Sequence, residues 1–78
     1  MQEVSIREEE EFIKLGQLLK KAGLVSSGVE AKIVVQDGLV SVNGEVDTRR
    51  GRKLVNGDVV SYNGQEVLVV KWLLNPLS

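Results

Sequence analysis

Cysteine and histidine are both missing from this chain of 78 residues. Without cysteine there is neither a disulfide framework nor a thiolate metal site to staple the fold. Without histidine the usual zinc ligands, the Ser/His and Cys/His nucleophile pairs and the commonest general base are gone as well. Carboxylates remain, but none sits in a pair with a catalytic context, so the expectation is a protein that is not an enzyme and needs no metal, cofactor or small-molecule substrate. No apolar run approaches the roughly 20 residues that span a bilayer. No basic start followed by an apolar stretch opens the chain either, so a cytoplasmic protein with no membrane role is expected. Proline occurs once, at Pro76, and the aromatics are Phe12, Tyr62 and Trp72 alone. A chain this short has room for one domain with a thin core, residues 1–78, expected to be modestly stable and monomeric.

Charge is present in quantity but unevenly placed. The formal net charge is -1, yet in residues 1–13 Glu3 and Glu8 to Glu11 outweigh Arg7, for -4. Residues 14–53 carry eight Lys and Arg against Glu30, Asp37, Glu45 and Asp47, for +4. The remainder, with Asp58, Glu66 and Lys71, comes to -1. An acidic head and a basic middle can orient and attract a polyanion although the total is near neutral.

Val4-Ser5-Ile6 is a short extended candidate. The glutamates that follow read either as the first turn of a helix or as a solvated connector. Leu15, Leu18, Leu19 and Ala22 recur at helical spacing, which predicts a helix starting near Leu15 and ending at Gly23. Ser27 with Glu30 three residues on reads as a capping box: the hydroxyl accepts from an early amide and the carboxylate reaches back to the cap's own amide. Ala31, Val34 and Val35 form that second helix's inward stripe, and Asp37-Gly38 closes it. From Leu39 the period becomes two. Asn43-Gly44 and Asn63-Gly64 are hairpin turns, joining Val40 and Val42 to Glu45-Val46, and Val59-Val60-Ser61-Tyr62 to Glu66 through Val70. The expected fold class is α+β, two short helices packed on a small antiparallel sheet. Trp72, Leu73, Leu74 and Leu77 form an apolar tail (residues 71–78) that reads as a cap folded back on the core, or as a docking peptide.

Between two Asn-Gly pairs, the stretch Asn43 to Asp58 holds Arg49, Arg50, Arg52 and Lys53 around one glycine. Four neighbouring cations cannot be buried unpaired, so the segment is either a solvated loop or a phosphate-binding surface that uses guanidinium forks and a lysine point charge. Ser27 reads first as a structural cap and second as part of an anion site at a helix start. Lys32, one turn on, suits contact and solvated face equally. Lys20 and Lys21 are explained by the negative end of the first helix. No aromatic lies inside the basic region, which favours recognition of a backbone-defined shape over reading of an extended single strand.

The ordered set of Ile13-Lys14-Leu15-Gly16-Gln17-Leu18-Leu19-Lys20, Ser27-Gly28 with Glu30-Ala31-Lys32, Val40 with Val42-Asn43-Gly44-Glu45, and Arg49-Arg50-Gly51-Arg52-Lys53-Leu54 before Gly57-Asp58 resembles the S4 RNA-binding domain. The likeness runs from about Phe12 to Val70 and is to the small stand-alone bacterial proteins of that family. It implies an S4-like (αL motif) fold that grips structured RNA with its helix openings and adjoining loop. By the same resemblance Lys14 takes the place of an arginine that contacts RNA, and Ser27 and Lys32 face nucleic acid. Gly16 stands where many S4 domains carry aspartate, and Gly28 where many carry arginine, as suits the stand-alone subgroup. The resemblance implies a non-catalytic protein whose partner is structured RNA, foremost ribosomal RNA or a ribosomal particle, in ribosome assembly or translation. Its site residues would be Lys14, Ser27, Lys32, Arg49, Arg50, Arg52 and Lys53, and reversing the four loop cations is expected to abolish binding with the fold intact. The rival reading is a protein-interaction module that uses the basic loop and the Trp72 tail.

Overall fold

The computed structural model describes residues 1–71. The elements in order are β1 (Gln2–Ser5), β2 (Ile13–Lys14), α1 (Leu15–Lys21), α2 (Gly28–Gln36), β3 (Val40–Val42), β4 (Glu45–Val46), β5 (Lys53–Leu54), β6 (Val59–Tyr62) and β7 (Gln65–Val70). Five strands make one sheet in the order β1-β7-β6-β3-β4, and β2 with β5 makes a second, two-stranded one. The expected antiparallel character holds for β3, β4, β6 and β7. β1 is the exception, lying parallel to β7 with Val4 beside Val69. A parallel partner needs a long crossover, and here nearly the whole domain separates the two strands.

The core is aliphatic. Leu15, Leu18 and Leu19 of α1 and Ala31, Val34 and Val35 of α2 are buried against Val40, Val42, Val60, Val67 and Val69 of the sheet. Each set follows from its period: near 3.6 on the helices and two on the strands. The predicted α1 start at Leu15 is observed, with the Gln17 side-chain oxygen accepting from the Lys14 amide at 3.1 Å. The glutamates before it form a connector rather than a helical turn, held by the Glu10 amide on the Arg7 carbonyl and by Lys71 Nζ on the Glu10 carbonyl at 2.7 Å.

α2 is capped as expected at Ser27, whose hydroxyl accepts from the Glu30 amide at 3.1 Å. The reciprocal bond differs from expectation. Glu30 accepts from the Ser26 amide at 2.6 Å, one residue before the cap. Ser27 is already extended, and the Glu30 carboxylate also takes the Ser26 hydroxyl at 3.2 Å, which draws it toward residue 26.

Asn43-Gly44 and Asn63-Gly64 both have positive φ at each turn residue, as a type I′ hairpin requires. Asn56-Gly57 is a different turn. Only Gly57 has positive φ, and the Asp58 amide bonds to the Val55 carbonyl at 3.0 Å, the pattern of a type II turn. The apolar tail foreseen as a cap on the core, Trp72 included, lies outside the described residues.

Candidate nucleic-acid interface

The basic loop is tied at three places. Its ends are joined by Asn43, whose Nδ2 donates to Asp58 at 3.0 Å while its Oδ1 accepts from the Val59 amide. Its middle is docked on the start of α1: the Leu15 and Gly16 amides donate to the carbonyls of Arg52 and Arg50 at 2.8 and 2.9 Å. These are amides that a helix start leaves without intrahelical partners. β2 and β5 then set Ile13 beside Leu54 and Lys14 beside Lys53.

The third tie is Asp47, a buried carboxylate at 6% exposure. It accepts from the Arg49 amide and Nε at 2.9 and 3.1 Å, from Arg49 Nη2 at 2.8 Å and from Arg52 Nη1 at 2.8 Å. The Arg49 bonds hold its carboxyl well below the usual carboxylate range; burial opposes this and Arg52 reinforces it. The same contact pushes the Arg49 guanidinium above its ordinary value. Two of the four loop cations therefore share one internal carboxylate and brace the loop, while the trio keeps one net positive charge. Reversal of Arg49 or Arg52 would set a glutamate against Asp47, so the expectation that all four cations can be reversed with the fold intact does not suit this geometry.

The other two loop cations are unpaired among the described residues. Among the described residues no carboxylate pairs with Arg50, Lys53, Lys14 or Lys20. Lys53 Nζ rests over the Phe12 ring at 4.9 Å, and Lys53 and Lys14 are cross-strand partners. Like charges directly opposite are unfavourable, and an anion between them would relieve the repulsion. Arg50 is positioned by Gly16: a Cβ there would stand 2.7 Å from Arg50 Cγ, so the absence of a side chain lets the arginine stem lie on α1.

A cleft of about 530 Å³ opens between the two helix starts and the loop, lined by Lys14, Gly16, Gln17, Lys20, Lys21, Gly28, Ala31, Arg50 and Gly51. A shallower depression of about 430 Å³ is lined by Arg49, Gly51, Arg52 and Lys53. Of the seven residues singled out from sequence, Lys14 and Arg50 meet in the cleft, and Arg49, Arg52 and Lys53 meet in the depression beside it. Gly51 borders both. Ser27 and Lys32 line neither, and Ser27 serves as the α2 cap. Sequence reasoning passed over Gln17, Lys20 and Lys21, assigning both lysines to the helix dipole. The signal was there in the i, i+3 spacing of Lys14, Gln17 and Lys20, which puts the three on one helical face.

Two helices on a small mixed sheet, with a braced basic loop seated on a helix start, define a compact α+β domain built around a cationic cleft. The chain belongs to the S4 domain family, whose model matches residues 4–70. Over 58 residues it is 45% identical to the Escherichia coli K12 protein named "Putative RNA-binding protein YbcJ", a match covering 74% of this chain and 83% of that protein. Over 54 residues it is 52% identical to the Bacillus subtilis protein named "Probable ribosome maturation protein RlbA", covering 69% and 76%. The solution structure of YbcJ from E. coli, described as revealing a motif involved in RNA binding, superposes with a TM-score of 0.67 at 40% identity. That superposition covers 90% of this chain and 87% of the other, and the fold is thus S4-like.

Proposed function

We propose that this protein is a non-catalytic, cytoplasmic, monomeric RNA-binding protein that recognises structured RNA, ribosomal RNA or a ribosomal particle foremost, during ribosome assembly or translation. The observation that carries the reading is the convergence of Lys14, Lys20, Arg50 and Lys53, none paired with a carboxylate among the described residues, on the surface where the loop meets α1. Cations held by backbone bonds at fixed spacing match the phosphates of a folded chain, and the surface offers few aromatics on which to stack an extended one. The names of the E. coli and B. subtilis relatives point the same way, toward RNA and toward ribosome maturation. In this reading Arg49 and Arg52 contribute their one surplus charge and hold the loop for its neighbours, and Ser27 and Lys32 flank the contact.

The test is a triple reversal, Lys14→Glu, Arg50→Glu and Lys53→Glu, which spares the Asp47 brace. Binding to ribosomal RNA fragments and to isolated ribosomal subunits is expected to fall at least a hundredfold with an unchanged thermal melt. Undiminished binding by a folded variant overturns the reading. Partners retained after complete nuclease digestion of a pull-down would favour the protein-interaction alternative instead.

A further inference from the structure

The geometry points to a specific occupant for the cleft between the helix starts: a single unstacked RNA nucleotide, such as a one-base bulge, with its base inside and its flanking phosphates on the cationic rim. The inference rests on the proposed RNA-binding role and adds to it the feature recognised. Phosphates alone need only a charged surface. This cleft has in addition the volume of a small-ligand pocket, about 530 Å³, within the roughly 300–1,000 Å³ usual for such sites.

Its lining divides by chemistry. On the floor, Gly28 and Gly51 are exposed and carry no side chain, so a flat ring can approach the backbone there closely, while Gly16 lies buried under the Arg50 stem and Ala31 is buried as well. A side chain added at Gly28 or Gly51 would meet nothing within 4 Å, so the space they leave is open. Lys14, Lys20 and Arg50 stand around this floor. Among the described residues no aromatic lines it, so the stacking partner is the planar Arg50 guanidinium, whose stem is held against α1 by the missing side chain at Gly16. Gln17 supplies polarity. Its Oε1 is engaged by the Lys14 amide at 3.1 Å, which leaves the carboxamide hydrogens free to donate to a base edge.

The experiment compares one fully paired RNA hairpin with four versions carrying a single unpaired A, C, G or U, using the full chain, and adds the free nucleoside monophosphates as a separate arm. At least one bulged hairpin is expected to bind tenfold or more tightly than the paired one, and the monophosphates far more weakly than either. Gly28→Leu, which fills the cleft without changing charge, is expected to bring the ratio of bulged to paired affinity down to about one. Gly51→Leu fills it from the loop side and gives a second reading should the first variant fail to fold. Equal binding of all five hairpins by the wild-type chain overturns the nucleotide pocket and leaves RNA binding standing. Binding to none of them overturns both. A monophosphate that binds as tightly as the best hairpin overturns presentation by RNA, and a preference that survives both leucines overturns the assignment to this cleft.

Discussion

At Gly16, helix stability and the position of Arg50 pull in opposite directions. Alanine is favoured over glycine by about 1 kcal/mol in a helix interior and by less at Gly16, the second residue of α1, yet its methyl would stand 2.7 Å from Arg50 Cγ, while the Arg50 carbonyl at 3.6 Å is an ordinary contact. The exposed arginine can rotate away and the backbone has no need to move. Gly16→Ala is therefore expected to keep or raise the urea midpoint while lowering RNA affinity several-fold; unchanged affinity would show that Arg50's seat on α1 is immaterial. Asp47 gives a second residue-level test. Its folded-state pKa is depressed, first by the Arg49 hydrogen bonds, so its contribution is present above the unfolded value near 3.9 and is lost as pH falls below that into strong acid. Asp47→Asn is expected to cost about 1–3 kcal/mol at neutral pH, toward the lower end because Arg49 lies at the surface, and to flatten the decline of stability below about pH 4. Denaturant melts of both proteins from pH 2 to 7 check this; parallel curves would remove Asp47 from the acid response.

The α2 cap separates two roles at the level of the element. Ser27 accepts from the Glu30 amide and lines neither depression, so Ser27→Ala is expected to cost about 1 kcal/mol of stability and to change RNA affinity less than twofold. A loss of binding larger than the loss of stability would restore Ser27 as a contact. This helix also shows what the sequence could and could not reveal. Its cap, its inward stripe of Ala31, Val34 and Val35 and its Asp37-Gly38 end are local signals, as are the two Asn-Gly hairpins, and all of them were legible. The β2–β5 pair was not, because two-residue strands leave no periodicity and their partners lie some forty positions apart. The parallel seating of β1 on β7 was hidden although both strands were legible, because a pairing between the two ends of the described domain has no local signal. Within the site, Lys14 and Arg50 could be named from pattern and resemblance. The division of the four loop cations into two braced and two unpaired could not, because it depends on the loop curling Asp47 under Arg49 and Arg52, and an aspartate near three arginines in sequence reads only as a charge to subtract.

At the scale of the whole molecule, the near-neutral total matters less than its poles. Lys14, Lys20, Arg50 and Lys53 are unpaired among the described residues, and the Arg49, Arg52 and Asp47 trio adds one net charge, giving about five phosphate equivalents. Each neutralised phosphate lowers the slope of log affinity against log salt by about 0.7–0.9, so the slope is expected at about -3 to -5. The acidic connector of Glu8 to Glu11 leads through Phe12, whose ring carries Lys53, directly into β2, so a negative segment adjoins the cationic surface in the chain. A polyanion that fits the cleft gains short-range bonds there, whereas one that only brushes the surface feels both signs. Changing Glu8, Glu9, Glu10 and Glu11 to glutamine is thus expected to strengthen binding to unrelated duplex RNA and DNA more than binding to the preferred structured RNA, narrowing the specificity ratio, with the largest effect at low ionic strength. Titrations of both RNAs at several salt concentrations measure slope and ratio together. An unchanged ratio with a slope near zero would mean that association is driven by something other than this separation of charge.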